Sequence, residues 1–388
     1  MSLDDRVRLK LGTEEVIAVE SYEVHMGVLT QPSRFAARTG HGGVLKKLTD
    51  KYPAGIAFEL LVNDQTQFIG RVDSRKASGN STLTLGGRGK LGELIGVTAQ
   101  ADKVYTHATY LELTNQILKD AGVKNVTVKD DPTDDRKKKT GVVNAGSSAQ
   151  TATDISTKTK KKSKYYIVHP PQIKVGEDYY GFLKTHLDRA GLFLYDTAIE
   201  GALVLTQPDG NQAPLYRIHV PSGTWSKTAE AGTVIDFDWS DDTSERMSDY
   251  VVYGRSGGGA FGRSKVRSGF QDEEMIALGI NRPCGLKDLH CSSADEAEFL
   301  ARRKIALSRR KGWSLTYTMA GHTVPALADG QKSIVWARDT VVKVVDEELG
   351  FSEDMWIENV DLIGDESMTK TVVHLMRKTD LVFGEDDA

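Results

Sequence analysis

Cysteine is nearly absent: Cys284 and Cys291 are the only two among 388 residues. Two thiols exclude the disulfide framework that staples small secreted domains. "CGLKDLHC" adds His290 beside Cys291, still short of the four ligands a structural zinc takes, so two free thiols and no metal are expected. Long apolar runs are missing as well. No stretch approaches the roughly 20 residues that cross a bilayer as a helix. The opening "MSLDDRVRLKLG" has no apolar signal core, so no membrane insertion is expected and synthesis in a reducing cytoplasm is the default. One-sided charge is also lacking. A formal net charge of −4 gives the molecule no electrostatic footprint of a nucleic-acid binder.

Signatures of catalysis are scarce. The nine histidines form no H-x-x-x-H pair. His186 lies on a helical face, where packing or lining a groove is the expected role. His322 falls in the turn-rich "AGHTVPALADG", and nothing near it in sequence makes it a base. Carboxylates are many, yet no motif pairs two of them for glycoside cleavage. One stretch does look like a cofactor loop. "STLTLGGRGKLGELI" spaces Gly87, Gly89 and Gly92 as G-x-G-x-x-G, with Arg88 and Lys90 between them. A dinucleotide site needs that loop inside a βαβ unit, opening a long helix, with an acidic residue ending the next strand. Here the loop closes a run of strands, "ELIGVTAQ" breaks at Gly96, and Glu112 falls inside a helix. A phosphate-binding P-loop fails too, because Leu91 follows Lys90 where Ser or Thr is needed. The loop is expected to turn the chain. No catalytic, cofactor or metal residue is assigned.

What is present is a succession of strands, with 39% hydrophobic and 27% charged residues of an ordinary globular composition. Residues 1–98 read as short alternating strands separated by turns, a first antiparallel β-domain that suits a barrel or a sandwich. Residues 99–212 change period. "THATYLELTNQILKDAG" sets Tyr110, Leu113, Ile117 and Ala121 on one helical face, capped by Thr109 and Glu112 and stopped by Gly122. "GEDYYGFLKTHLDRAG" repeats the shape, and a short strand follows each helix: a small α/β domain. Between them, residues 129–164 hold almost no large apolar side chains and read as a mobile loop. Its lysine clusters, Lys137–Lys139 and Lys160–Lys162, suit a solvated surface or contact with an acidic partner or nucleic acid.

Residues 213–255 and 313–388 read as a second β-barrel, interrupted at 256–312 by a glycine-rich hinge and a helix. The helix starts at Ser293 and Glu296 and ends at Gly312, with Ala297, Leu300, Ala301 and Ile305 inward and arginines on the other side. In "TVIDFDWSDD", alternation puts Ile235, Phe237 and Trp239 toward a core and turns Asp236 and Asp238 outward. The fold class expected is α+β and β-rich: two related antiparallel β-barrel domains, a small α/β domain and a helical insertion.

Four pieces, in order, resemble a known family: "YEVHMGVLTQPSRFAARTG", "FIGRVDSRKASGNSTLTLGGRGKLGELI", "IKVGEDYYGFLKTHLDRAGLFLYDTAIEGALVLTQPD", and "ARRKIALSRRKGWSLTYTMAGHT" through "WIENVDLIGDESMTKTVVHLMR". The chain is similar to the baseplate hub proteins of contractile-tailed phages, the late control protein D and Mu-type group, related to the N-terminal module of type VI secretion spikes. Residues 129–164 have no clear counterpart in it.

The resemblance implies a non-enzymatic structural protein of the virion tail baseplate. It would be a homotrimer whose two β-domains per subunit make a ring of six between the tail tube and the central spike. Implied partners are the spike, a tube or tube-initiator protein and, as a further candidate, a tape measure protein, with DNA only in transit. Asp236 and Asp238 would face either the channel or the outer rim. Two alternatives stay open. A type VI or other injection-system spike hub would carry a C-terminal needle, which is not expected after "LVFGEDDA"; a wall-degrading tail enzyme would need length for a hydrolase domain.

Overall fold

The computed structural model describes residues 5–15, 19–29, 32–40, 50, 52–78, 82–106, 109–130, 170–199, 201–208, 210–223, 234–255, 265–288, 291, 293–325 and 333–381. Both lysine clusters, the glycine-rich hinge at 256–264 and His290 lie outside them.

Seven strands come first: β1 (Val7–Leu11), β2 (Glu14–Glu15), β3 (Val19–Gly27), β4 (Arg34–Gly40), β5 (Ala57–Val62), β6 (Gln65–Ser78) and β7 (Thr82–Arg88). Period-two patterning sets their faces. Along β4, Phe35, Ala37 and Thr39 are buried while Arg34, Ala36 and Arg38 are exposed. Asn63 and Asp64, both at positive φ, form the tight turn that joins β5 to β6.

The chain then enters a mixed unit: β8 (Lys103–Val104), α1 (Tyr110–Asp120), β9 (Thr127–Asp130), β10 (Gln172–Ile173), α2 (Tyr179–Ala190), β11 (Phe193–Asp196) and β12 (Ala202–Thr206). Thr109 and Glu112 form the reciprocal capping box of α1. Gly191 ends α2 at φ 70, a left-handed conformation that costs glycine nothing. Leu113 and Ile117 of α1 and Phe182, Leu183 and Leu187 of α2 share one core with Leu203 and Leu205 of the sheet β11-β12-β9.

The remaining elements are β13 (Tyr216–Val220), β14 (Val234–Asp241), β15 (Asp249–Arg255), β16 (Lys265–Gln271), α3 (Glu273–Ala277), β17 (Pro283–Lys287), α4 (Ala294–Gly312), β18 (Trp313–Ala320), β19 (Thr323–Pro325), β20 (Ser333–Val335), β21 (Thr340–Asp346), β22 (Phe351–Asp365) and β23 (Thr369–Arg377). Strands β16, β15 and β17 form a separate sheet, and α4 packs Ala297, Leu300 and Ala301 against it. Ser293 accepts the Glu296 N–H at the start of α4, as its sequence suggests.

Thirteen strands make one sheet, in the order β14-β18-β23-β22-β3-β4-β7-β6-β5-β1-β2, with β21 beside β22 and β13 beside β21. The order contains a duplication. The first half runs β3-β4-β7-β6-β5-β1 and the second β14-β18-β23-β22-β21-β13, with matching elements in the same chain order. Bulges match as well: Val19/Ser21 on β3 with Val234/Asp236 on β14, and Val72/Ser74 on β6 with Ile357/Asn359 on β22. The outermost pair differs, antiparallel for β1·β5 and parallel for β13·β21.

Two expectations need correction. Among the described residues neither half closes on itself as a barrel, because β22 pairs with β3 and continues the sheet from one half into the other. A single core accordingly spans both, from Phe35, stacked 3.7 Å from Phe58, to Tyr317 and Met355. The apolar stripe of β14 is the second. Phe237 and Trp239 lie opposite buried Tyr317 and Leu315, on the core side, yet Trp239 keeps 45% and Ile235 39% of its surface exposed. Among the described residues strand β14 ends the sheet, and Ile235 falls in the bulge, so neither has a second strand beside it.

Candidate assembly interface

The glycine loop after β7 holds a carboxylate from its own chain. Leu91 N–H donates to Asp196 Oδ1 at 2.7 Å and Ser33 N–H to Oδ2 at 3.3 Å, while Gly89 N–H donates to the Ser33 carbonyl at 2.7 Å. A Cβ on Gly89 would sit 2.6 Å from that carboxylate, so the position needs glycine for close approach. Burial pushes the Asp196 carboxyl up, and the two N–H groups and Arg338 oppose that. Arg338 donates to the Gly27 carbonyl at 2.9 Å, to Ser33 Oγ at 2.8 Å and to the Asp196 carbonyl. Asp196 therefore ties both β-halves to the mixed unit. Lys90 turns away to Glu93, 2.9 Å distant.

The halves also meet directly at β22·β3, and polar side chains line the solvent side of that seam. His25 Nδ1 lies 3.0 Å from Asp361 Oδ1, His25 Nε2 3.0 Å from Glu23, and His374 Nε2 3.1 Å from Asp361 Oδ2. Burial opposes the Asp361 charge, but hydrogen bonds from His25 and His374 outweigh it and hold the carboxyl at about 2. Asp236 and Asp238 are exposed on the same face, opposite Thr318 and Thr316 of β18. Arg34, Arg38 and Arg88 occupy it in the first half. The face thus runs from acidic at β14 to basic at β4 and β7.

Other residues singled out from sequence are placed as follows. His186 is half-buried with its ring edge-on to Phe182 at 4.7 Å. His322 is fully buried between Tyr22 and Thr371. Cys291 is buried and Cys284 half-buried, both free thiols, and burial raises the Cys291 thiol to about 11. The arginines of α4 are clamps: Arg309 reaches Asp272, Arg310 reaches Glu358, and Arg303 lies beside Asp188. Among the described residues no group of three or more His, Cys, Asp and Glu is arranged to hold a metal ion, and no helix is long and apolar enough to cross a membrane.

No family model matches the chain, and no curated protein matches it by sequence. Solved structures do. The tail protein of Neisseria meningitidis MC58 superposes with a TM-score of 0.72 at 18% identity, covering 98% of each chain. The 43 kDa tail protein of prophage MuSo2 from Shewanella oneidensis gives 0.69 at 16%, over 97% of this chain and 99% of that one. This chain has the phage tail-protein fold. The same fold extends to the E. coli c3393 protein, described as a component of the type VI secretion system, with a TM-score of 0.54 at 11% identity over 95% of this chain and 76% of that one.

Within this tail-protein fold, sequence reading missed the seam cluster and the Asp196 seat. His25 lies on a strand far in sequence from those of Asp361 and His374, and only the β22·β3 register brings it to them. Alternation alone signalled that each side chain faces away from the core.

Proposed function

We propose that this chain is the structural hub of a contractile-tail baseplate in the virion, without catalysis of its own. In this reading it is a homotrimer that joins the sixfold tail tube to the threefold spike. The duplicated strand order carries the reading. Residues 359–365 of β22 pair with β3, whereas the equivalent stretch of β6, from Ser74 to Ser78, has no strand on that edge among the described residues. β14, the counterpart of β3, likewise has no strand on its outer edge among the described residues. Open edges invite pairing, and β6 of one copy against β14 of the next repeats the internal seam. A head-to-tail contact of that kind closes into a ring. Three copies supply six equivalent halves, and each half gains the neighbour that finishes its barrel-like wall.

The polar face carrying Asp236 and Asp238 then lines the channel, where carboxylates keep DNA in transit from adhering. Partners on this reading are the spike, a tube or tube-initiator protein and a tape measure protein. The fold shared with the E. coli secretion component favours a second reading, the spike hub of a type VI or other injection system; neighbouring tube, spike and tape measure genes separate the two. Mass photometry at micromolar protein tests the assembly. A species of three times 42.6 kDa is expected. A strict monomer, alone and with the spike, overturns the hub reading.

A further inference from the structure

Both ring nitrogens of His25 face carboxylates: Nδ1 faces Asp361 and Nε2 faces Glu23, each at 3.0 Å. A neutral imidazole has one N–H, so only the imidazolium satisfies both contacts. His374 differs. Its Nε2 meets Asp361 Oδ2, while its Nδ1 lies 3.3 Å from Thr316 Oγ1, a hydroxyl that donates, so the neutral ring suffices. The cluster sits on the one strand pair that, among the described residues, joins the two halves of the great sheet, β3·β22. Charged groups beside the cluster on this face include Glu23 on β3, Asp361 and Asp365 on β22, His374 and Lys370 on β23, and Arg34 and Arg38 on β4; β18 offers Thr316.

We propose that His25, with Asp361 and His374, is a proton-operated clasp across the β3·β22 seam, closed while His25 carries its proton and loosened when it loses it. This goes beyond the hub reading and holds for the isolated chain. Losing the proton leaves a ring lone pair 3.0 Å from a carboxylate oxygen and two carboxylates on one neutral ring. The hydrogen bond to Asp361 is the main cause that raises the affinity of His25 for its proton; partial burial and Arg34 oppose it. A raised value in the folded chain stabilises below the ordinary histidine value of about 6.5 and loses that contribution as pH rises through the folded value. Asp361 stays ionised throughout.

The test follows the His25 ring by NMR, with amide protection on both sides of the seam, from about pH 5 to about pH 9. Expected are a midpoint above the ordinary value and a fall in protection confined to β3·β22, after correction for intrinsic exchange, while β4·β7 is unchanged. His25→Gln should abolish the pH dependence of seam protection. Should that variant fail to fold, Glu23→Gln should shift the His25 midpoint downward. A midpoint at or below the ordinary value, or a pH-dependent loss that persists in His25→Gln, overturns the clasp.

Discussion

The Tyr22 hydroxyl and His322 Nε2 lie 2.7 Å apart across 300 residues of sequence, tying β3 of the first half to the end of β18 in the second. Thr371 Oγ1 donates to the Gly321 carbonyl at 2.8 Å and meets His322 Nδ1 at 2.9 Å. The ring proton therefore sits on Nδ1, and Nε2 accepts from Tyr22. Asp5 seals the same spot by accepting from the Thr323 hydroxyl at 2.6 Å.

Removing the Tyr22 hydroxyl leaves a buried ring nitrogen without its donor. Tyr22→Phe is expected to cost about 1–2 kcal/mol, read as a lower denaturation midpoint with an unchanged slope. An unchanged midpoint would show that the contact contributes nothing net.

His322 also sets a pH response opposite in sign to that of His25. Burial lowers its value to about 4, so the folded chain holds the ring neutral. The stability it contributes is present above the ordinary value of about 6.5 and is lost as pH falls toward about 4. Thermal melts should soften on acidification through that window, and His322→Gln should flatten this limb. The same acid loss in the variant would assign it to another group.

The glycine loop gives a contrast between neighbouring positions. Gly89→Ala pushes a methyl into the Asp196 carboxylate and is expected to destabilise by about 1–3 kcal/mol. Lys90→Ala removes only the pair with Glu93 and should stay within about 1 kcal/mol. Chemical denaturation of both variants decides the matter. Saturable nucleotide binding that disappears in Lys90→Ala would reverse the reading of the loop as a structural seat.

At the root of α3, buried Asp272 accepts from Arg246 at 2.9 Å and from Arg309 at 2.7 Å. Burial works against its charge, but the two guanidinium groups prevail and keep the carboxyl below its usual range. Asp272→Ala strands the buried Arg246 and should cost about 3–5 kcal/mol, detected as early unfolding of the α4 unit by hydrogen exchange. Wild-type protection there would show that Glu274, 2.7 Å from Arg246, carries the site alone.

The open edge of β14 gives a test of assembly that leaves the subunit intact. Ile235→Lys with Trp239→Glu puts charge on an exposed edge, a change that blocks strand addition. The variant should remain folded and fail to form the proposed trimer. Persistent trimers would move the interface elsewhere. Asp236→Lys with Asp238→Lys should leave the trimer and lower DNA delivery by the particle; unchanged delivery would remove these carboxylates from the channel.

Local chemistry was legible in the residues themselves. Thr109 with Glu112, Gly191, the Asn63–Asp64 turn and the alternation of β4 each depend on neighbours within a few positions, so sequence alone determined them. The reading of the glycine loop as a turn was local too, since a missing long helix and the Leu91 after Lys90 are visible in the chain. Tertiary structure decided the rest. Strand pairing is set by hydrogen bonds between segments hundreds of residues apart, and no periodicity states which strand lies beside which. That is why β14 became an edge with Trp239 uncovered, why the glycine loop came to hold Asp196, and why His25 met Asp361 at the seam.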